Sequence, residues 1–167
     1  MKSKSHEFDI HDIRILAELQ RDARLTMAEL GRRVHLSQPA TTERVRKLEA
    51  AKIITGYHAQ IDRQALGYGI HALVRVGRAD LARMTKLARE MPEVLSCYNV
   101  TGDDSWVLEI VVVDVAHLES VVKPFCELAD TSTSVILKVV VENRRLLPPG
   151  AHGPEGGRGA KRKPLGG

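Results

Sequence analysis

Hydrophobic positions recur with helical spacing at the start of the chain. From Asp9 onward one apolar stripe is formed by Ile13, Leu16, Ala17 and Leu19. Because apolar residues three and four positions apart share one side of a helix, this spacing predicts a first helix. We expect Asp9 to cap that helix, which should end near residues 21–24.

Two more helical patterns follow the first one. Thr26 and Glu29 form the T-x-x-E signature of a capping box, which predicts the start of a second helix. Ser37 is the next predicted N-cap, and Pro39 falls in the first helical turn, where proline is tolerated. A third helix is therefore predicted from about residue 38 to residue 51.

The third predicted helix has two unlike sides. At about 100° per residue, Thr41, Val45 and Leu48 fall on one side. The opposite side carries Pro39, Ala40, Glu43, Arg46 and Lys47. The first side is predicted to pack against a core, and the second is free to contact a partner.

Strand-like residues follow directly. Ile53–Ile61 contains two short β-type runs around Gly56, which predicts a small two-stranded wing. The next elements are predicted in this order: strand 70–76, helix 81–91, strand 94–100, strand 106–113, helix 118–128 and strand 134–141. This βαββαβ order is typical of the ferredoxin-like split unit. The predicted fold class is α+β, with a winged helix-turn-helix joined to a ferredoxin-like domain.

These patterns divide the chain into four predicted parts. They are a helix-turn-helix domain at 1–62, a linker at 63–69, a ferredoxin-like domain at 70–147 and a tail at 148–167. Glycine and proline dominate the tail, which cannot bury enough apolar surface to offset its ordering entropy. We therefore predict a disordered basic tail.

Charge has to be read by region. Residues 144–167 hold six basic residues and one acidic residue, a net charge of +5, whereas the whole chain carries +4. The high isoelectric point is thus a property of the tail and does not by itself indicate nucleic-acid binding. Residues 26–58, however, carry a local net charge of +3 that coincides with the second and third helices.

Composition bears on location. No run approaches the roughly 18 apolar residues that a membrane span requires, and the N-terminus lacks the apolar region of a secretory signal. We expect a cytoplasmic protein without membrane contact. Cys97 and Cys126 lie in apolar elements, which predicts two buried free thiols in a reducing compartment.

The order helix, turn, amphipathic helix and wing predicts binding to double-stranded DNA. A helix-turn-helix presents its second helix to the major groove, where polar side chains reach base edges, while the preceding helix meets phosphates. The residues assigned to this surface are Arg32, Arg33, Ser37, Gln38, Thr42, Glu43, Arg44, Arg46 and Lys47. The alternative is a small helical bundle whose charged side is only solvated.

Three segments carry a resemblance to a known family. They are "FDIHDIRILAELQRDAR", "LSQPATTERVRKLEAAKIITGYHAQID" and "VTGDDSWVLEIVV". Together they resemble the Lrp/AsnC (leucine-responsive, or feast/famine) transcriptional regulators of bacteria and archaea, over about residues 9–143. The resemblance implies a DNA-binding domain joined to an amino-acid-responsive RAM-type domain. It also implies homodimers that often assemble into octamers.

The same resemblance implies an effector site at the turn before the third strand of the second domain. The residues assigned to it are Thr101, Gly102, Asp103, Asp104, Ser105, Thr131 and Thr133. Gly102 allows backbone amides to hold a carboxylate, and an aspartate offers an acceptor for an ammonium group. The alternative is a tight hairpin in which the aspartates only cap local amides.

Three residues depart from the family pattern. Thr41 stands where an aliphatic residue usually packs, and Lys52 stands where a glycine usually ends the third helix. Ser105 replaces an aspartate of the effector turn. Because Ser105 supplies no charge, we expect a neutral amino acid, or weak binding.

Two other function classes compete with a DNA-binding regulator. Asp103 and Asp104 could serve as an acid/base pair in an enzyme of ferredoxin-like fold, but no nucleophile can be placed with them, so we predict no catalytic residue. The histidines are scattered without ligand spacing, so neither a metal site nor a cofactor is predicted. The second alternative is an amino-acid-sensing module that does not bind DNA.

Overall fold

The computed structural model describes residues 7–151. Its helices and strands, in chain order, are α1 (Ile10–Leu19), α2 (Met27–Val34), α3 (Gln38–Ala50), β1 (Ile70–Val76), α4 (Leu81–Glu90), β2 (Val94–Asn99), β3 (Trp106–Val112), α5 (Val115–Cys126) and β4 (Thr131–Val135). This order confirms the predicted helix-turn-helix followed by a βαββαβ arrangement. None of the helices in this described range is long and apolar enough to cross a bilayer.

The chain forms two compact units. Among the described residues, the helical unit comprises 7–59 and 143–151, and the sheet unit comprises Gln60–Glu142. The C-terminal segment therefore returns to the helical unit, although the sequence placed residues up to 147 in the second domain. Most of the predicted basic tail, residues 152–167, lies outside the described residues.

The helices begin at the predicted caps. The carboxylate of Asp9 accepts from the amide of Asp12, and the Asp12 side chain accepts from the Asp9 amide, so α1 has a complete capping box. At α2 the Thr26 hydroxyl accepts from the amide of Glu29 at 3.1 Å, as predicted. The Glu29 carboxylate, however, turns to the arginines of α2 instead of completing the predicted box.

One apolar core holds the helical unit together. Its buried residues are Ile15, Leu16, Leu19, Leu30, Val34, Val45 and Leu48. Thr41 is fully buried beside them, and its hydroxyl donates to the carbonyl of Ser37 at 2.9 Å, which satisfies the polar group. The predicted packing side of α3 is confirmed.

The C-terminal segment is fastened to this unit at α1. The Gln20 side-chain amide donates to the carbonyl of Leu146 at 2.9 Å and accepts from the Leu146 amide at 2.8 Å. The side chain of Leu147 packs against the helical core, whereas the Leu146 side chain is exposed. Residues far apart in sequence thus complete one small domain.

The predicted wing is wrong, because residues 53–61 form no strand. The amides of Ile53 and Ile54 instead bond to the carbonyl of Leu48, and Lys52 takes the left-handed conformation at φ 56°. Together with the bond from the Lys52 amide to the Glu49 carbonyl, the Ile53 bond makes a Schellman end to α3, with lysine at the position that favours glycine. A two-stranded hairpin without a further strand is only marginally stable in water, which is why the strand propensity there is overridden.

The sheet unit is an antiparallel four-stranded sheet in the order β2-β3-β1-β4. Residues directly opposite each other on neighbouring strands share a face. Ala72, Val74 and Val76 of β1 therefore share one face with Leu108 and Ile110 of β3, and this face packs against the helices. We call the opposite face the second face.

The last strand is shifted from its prediction. The sequence placed it at 134–141, but β4 is Thr131–Val135, because Thr131 pairs with Val76 at the start of the ladder. The Ile136 amide still bonds to the His71 carbonyl at 2.8 Å, but β1 begins at Ile70, so the later residues of the predicted strand, 138–141, have no partner on β1. The predicted burial of Cys126 is also wrong: this thiol is exposed at the end of α5. Cys97 is half-buried, and burial raises the pKa of its thiol.

Candidate nucleic-acid interface and ligand turn

The turn between α2 and α3 is very tight. His35 ends α2 in the left-handed conformation at φ 60°, and the Leu36 amide bonds to the carbonyl of Gly31 at 2.9 Å. A Cβ added at Gly31 would lie 2.7 Å from the Leu36 carbonyl oxygen. Ser37 then caps α3 by accepting from the amide of Ala40. These contacts fix the angle between the two helices.

The free side of α3 is exposed as the sequence predicts. Arg46 is the most open of its charged residues, with 75% of its side chain accessible. It lies 4.0 Å from Glu43, and Lys47 lies 3.6 Å from the same carboxylate. Exposed pairs of this kind contribute little to stability, so both cations can leave Glu43 for another anion. Gln38 is also exposed.

The cations of α2 differ in how firmly they are held. Arg33 donates to Glu18 and to Glu29, each at 3.1 Å, and these hydrogen bonds raise the pKa of its guanidinium. Within residues 7–151, Arg32 forms an ion pair with Glu29 alone, and its side chain projects into solvent. Of the two predicted phosphate contacts, Arg32 is therefore the less constrained.

Arg44 points away from the free side of α3. Its guanidinium contacts Asp12 at 2.8 Å and Asp9 at 2.6 Å, and these carboxylates raise its pKa. The Asp12 amide and Arg44 in turn hold the pKa of the Asp9 carboxyl below its ordinary value. Arg44 is one of the predicted DNA contacts, and in the structure its guanidinium ties α3 to the capping box of α1.

Tyr57 is a residue that sequence reasoning missed. Its hydroxyl donates to the carboxylate of Glu49 at 2.9 Å, which fastens the segment after α3 to that helix. Burial and this carboxylate raise the pKa of Tyr57 to about 12. Periodicity gives no signal for such a contact, because Tyr57 lies in a segment without regular structure.

The ligand turn is closed at its base and open at its tip. The Val100 amide and the Asn99 side chain both donate to the Ser105 carbonyl at 2.9 Å. Gly102 lies at the tip with φ 121°, and nothing is within 4 Å of a Cβ added there. The turn therefore leaves room for a ligand at a position that only glycine adopts easily.

The sheet register separates the predicted effector residues. Thr131 lies opposite Val76, at the same end of the sheet as the turn. Thr131 and Thr133, however, are on the helix-bearing face. The Thr131 hydroxyl donates to the Ala129 carbonyl at 2.9 Å, and Thr133 lines an open apolar groove of about 630 Å³ along α5.

Arg75 is a second residue that sequence reasoning missed. It extends from β1 on the second face, where its Nε lies 3.8 Å from the Asp104 carboxylate of the turn. Its Nη1 also donates to the Ser134 hydroxyl at 3.3 Å. The sequence "IHALVRV" could have indicated this position, because side chains alternate between the two faces of a strand and Arg75 falls on the face away from the core.

The acidic residues of the turn are not part of a cluster of metal-ligating side chains in the described residues. Within residues 7–151, no three side chains of His, Cys, Asp or Glu come together as a metal site. Asp104 faces a guanidinium, which suits ionic recognition of a small molecule.

Both halves of the chain match known family models. Residues 8–49 match the AsnC-type helix-turn-helix domain, and residues 71–146 match the Lrp/AsnC ligand binding domain. The HTH-type transcriptional regulator LrpC of Bacillus subtilis is 34% identical over 136 residues, which are 80% of this chain and 94% of that relative. Sequence similarity therefore extends over both units.

Solved structures agree with this match. The structure of B. subtilis LrpC has a TM-score of 0.77 and covers 81% of this chain and 98% of its own. A transcriptional regulator from Neisseria meningitidis in complex with L-Met has a TM-score of 0.78 at 30% identity, over 84% of this chain and 96% of that one. A feast or famine regulatory protein of M. tuberculosis, complexed with L-methionine, has a TM-score of 0.77 at 31% identity, over 85% of this chain and all of the other.

Proposed function

This chain belongs to the Lrp/AsnC family of transcriptional regulators, and we propose that α3 reads operator DNA while the sheet unit senses a neutral amino acid or related metabolite. One observation carries the first part: α3 buries Thr41, Val45 and Leu48 but leaves Arg46 exposed on the opposite side. The proposal involves no catalytic step. Its named relatives are transcriptional regulators.

The proposal gives the basic residues different tasks. Gln38 and Arg46, both exposed on or near the free side of α3, would contact base edges in the major groove. Arg32 and Lys47 would neutralise phosphates. Arg44 would hold α3 in place, because both of its carboxylate partners belong to α1 and its cap.

The test compares an arginine of α3 with an arginine of α4. Arg46→Ala should cost about 1 to 3 kcal/mol on a specific site and relax base preference, because a bidentate base contact is lost. Arg89→Ala, at an exposed position of α4, is the matched control and should change neither. Fluorescence anisotropy with the protein's own upstream DNA and a scrambled duplex measures both affinities. Equal losses on the two duplexes would contradict base reading by Arg46.

We also propose that the chain forms homodimers, which assemble further as octamers. Residues 137–141 support this, because Leu137 is 95% exposed and Val140 is 84% exposed in a segment of high β propensity. A second copy would cover them, and operators should be pseudo-palindromic with half-sites about one helical turn, or a multiple of it, apart.

Light scattering at micromolar concentration tests the assembly. Leu137→Glu should lower the measured mass, because it places a charge in the proposed contact. Leu81→Glu is the control, since Leu81 is also exposed but begins α4, where a carboxylate is tolerated. A monomeric wild-type protein would refute the proposal.

The sensing part is supported by the open glycine turn and by relatives solved with L-methionine. Calorimetry with the twenty amino acids on wild type and on Gly102→Thr tests it. Gly102→Thr should weaken binding, because φ 121° strains any residue with a side chain. If several amino acids bind wild type and all bind the variant equally well, the site lies elsewhere.

A further inference from the structure

A histidine, two carboxylates and an arginine form a chain of contacts on the second face, at the end away from the ligand turn. The Nε2 of His71 lies 2.7 Å from a carboxylate oxygen of Glu109, and its Nδ1 lies 3.2 Å from the Nη1 of Arg63. The Nη2 of Arg63 donates to the carboxylate of Glu142 at 2.9 Å. The imidazole is the least accessible member, with 16% of the side chain exposed. We call these four residues the clasp.

The clasp closes over the segment 136–142, which follows β4. The first residue of the segment, Ile136, donates its amide to the His71 carbonyl at 2.8 Å. The last residue, Glu142, is joined to the His71 side chain through Arg63. Both ends of the segment are therefore held at one residue of β1. Between these ends lie the exposed apolar residues of the proposed dimer contact.

The contacts of the clasp require one protonation state of the imidazole. A guanidinium has only hydrogen-bond donors, so the Nδ1 of His71 has to accept from Arg63. The single proton of the ring is then on Nε2, which donates to Glu109. The closed clasp therefore contains a neutral imidazole.

A second proton on His71 would separate the clasp into two ion pairs. The Nδ1 would then carry an N–H that faces a donor of Arg63, and two cations would lie 3.2 Å apart. His71 would keep Glu109, which favours the charged ring, and Arg63 would keep Glu142. The bond between the two pairs would be lost, although Arg63 also lies 4.0 Å from the Glu109 carboxylate. The end of the segment is thus released from β1, while its first residue stays bonded through the backbone.

We propose that His71 is a pH-sensitive switch, which holds both ends of the segment 136–142 when neutral and releases the later end when protonated. Histidine is the side chain that ordinarily changes its charge between about pH 5 and 8. A released segment has to be ordered again when two copies associate, at a cost in entropy, so assembly should weaken at low pH. This consequence rests on the proposed homodimer, whereas the release itself does not.

The experiment compares two histidines of the sheet unit at about pH 8 and about pH 5.5. His71→Gln keeps a donor and an acceptor but cannot gain a proton. His117→Gln is the matched control, because the Nε2 of His117 is also 3.2 Å from a carboxylate, that of Glu93, and its Nδ1 accepts from the Val113 amide. His117, however, stands on α5, on the helix-bearing face. Arg63→Gln removes the link at both pH values.

Two measurements separate the switch from the assembly. Trypsin cleavage after Lys138, which is exposed in the middle of the segment, reports release of the segment and is followed by mass spectrometry. Sedimentation velocity over a concentration series gives the dissociation constant of the dimer. Proteins are compared at the same pH, so the pH dependence of trypsin cancels. Thermal unfolding at both pH values checks that every variant is folded.

The variants should differ only where His71 is protonated. At about pH 5.5, wild type and His117→Gln should be cleaved after Lys138 about two- to fivefold faster than His71→Gln. At about pH 8 these three proteins should be cleaved equally, and Arg63→Gln should be cleaved faster than any of them. The dissociation constant of the wild-type dimer should rise about two- to fivefold at the lower pH, and that of His71→Gln should stay constant.

Several results would overturn the switch. Equal cleavage of wild type and His71→Gln at about pH 5.5 would do so, and so would slow cleavage of Arg63→Gln at about pH 8. Loss of the difference in His117→Gln would assign it to another group. If wild type is a monomer at both pH values, the homodimer proposal fails, and cleavage alone decides the switch. If cleavage follows the pH but the dissociation constant does not, the switch stands and its effect on assembly is wrong.

Discussion

Replacing Gly31 by alanine tests the tightest point of the DNA-binding unit. The new Cβ would lie 2.7 Å from the Leu36 carbonyl oxygen and 3.0 Å from the Thr41 hydroxyl. The first is backbone of the turn, and the second is fully buried and bonded to Ser37. Neither atom can yield unless the start of α3 moves.

The expected cost follows from opposing contributions. Alanine in place of glycine inside a helix stabilises by about 0.5–1 kcal/mol. Overpacking costs about 1–3 kcal/mol, and weakening the bond from Leu36 to Gly31 costs about 1 kcal/mol more. The net destabilisation is therefore about 1–3 kcal/mol. In a domain of this size each kcal/mol lowers the melting temperature by about 4–8 °C.

Gly56→Ala is the matched control. A Cβ at Gly56 would also be close to another atom, 2.8 Å from the Nε2 of His58, but that atom ends a flexible side chain. His58 can swing away, so this variant should be neutral or stabilised by up to about 1 kcal/mol. Thermal unfolding by circular dichroism gives both values, and anisotropy gives the affinity for operator DNA. If Gly31→Ala unfolds at the same temperature as Gly56→Ala and binds DNA equally well, the close helix packing is refuted.

Three further predictions have measurable outcomes. Lys52→Gly should raise stability by about 0.5–1 kcal/mol, because Lys52 is held at φ 56°, and a lower melting temperature would contradict strain there. Leu147→Ala should lower the free energy of unfolding of the helical unit by about 1–2 kcal/mol, whereas Leu146→Ala should lower it by less than about 0.5 kcal/mol. Equal effects of the two substitutions in chemical denaturation would show that the C-terminal segment does not complete the core. The pKa of Asp9 is lowered by folding, so its stabilisation is present above the ordinary value of 3.8 and is lost as the pH falls through the lowered pKa. Asp9→Asn should therefore flatten the acid limb of an unfolding titration, and an unchanged limb would exclude this carboxyl.

Features that depend on near neighbours in the chain could be predicted from the amino-acid sequence. The caps Asp9, Thr26 and Ser37 act on amides two or three residues away, and all three were predicted. The buried side of α3 follows from a spacing of three and four residues. The βαββαβ order follows likewise from changes in period along the chain. These patterns involve residues close together in the sequence, so they predict local structure without knowledge of the tertiary contacts.

Contacts between groups far apart in the sequence became known only from the folded chain. The sequence marked Arg44 as basic and close to the free side of α3, but its partners, Asp9 and Asp12, lie more than thirty positions earlier. Arg75 became part of the candidate ligand site only because the sheet register brings it beside Asp104. Ile53–Ile61 has strand-like residues but forms no strand, because no neighbouring strand is there to pair with it. Pairing of this kind depends on which surfaces remain uncovered after the chain has folded, and a pattern within one segment carries no information about that.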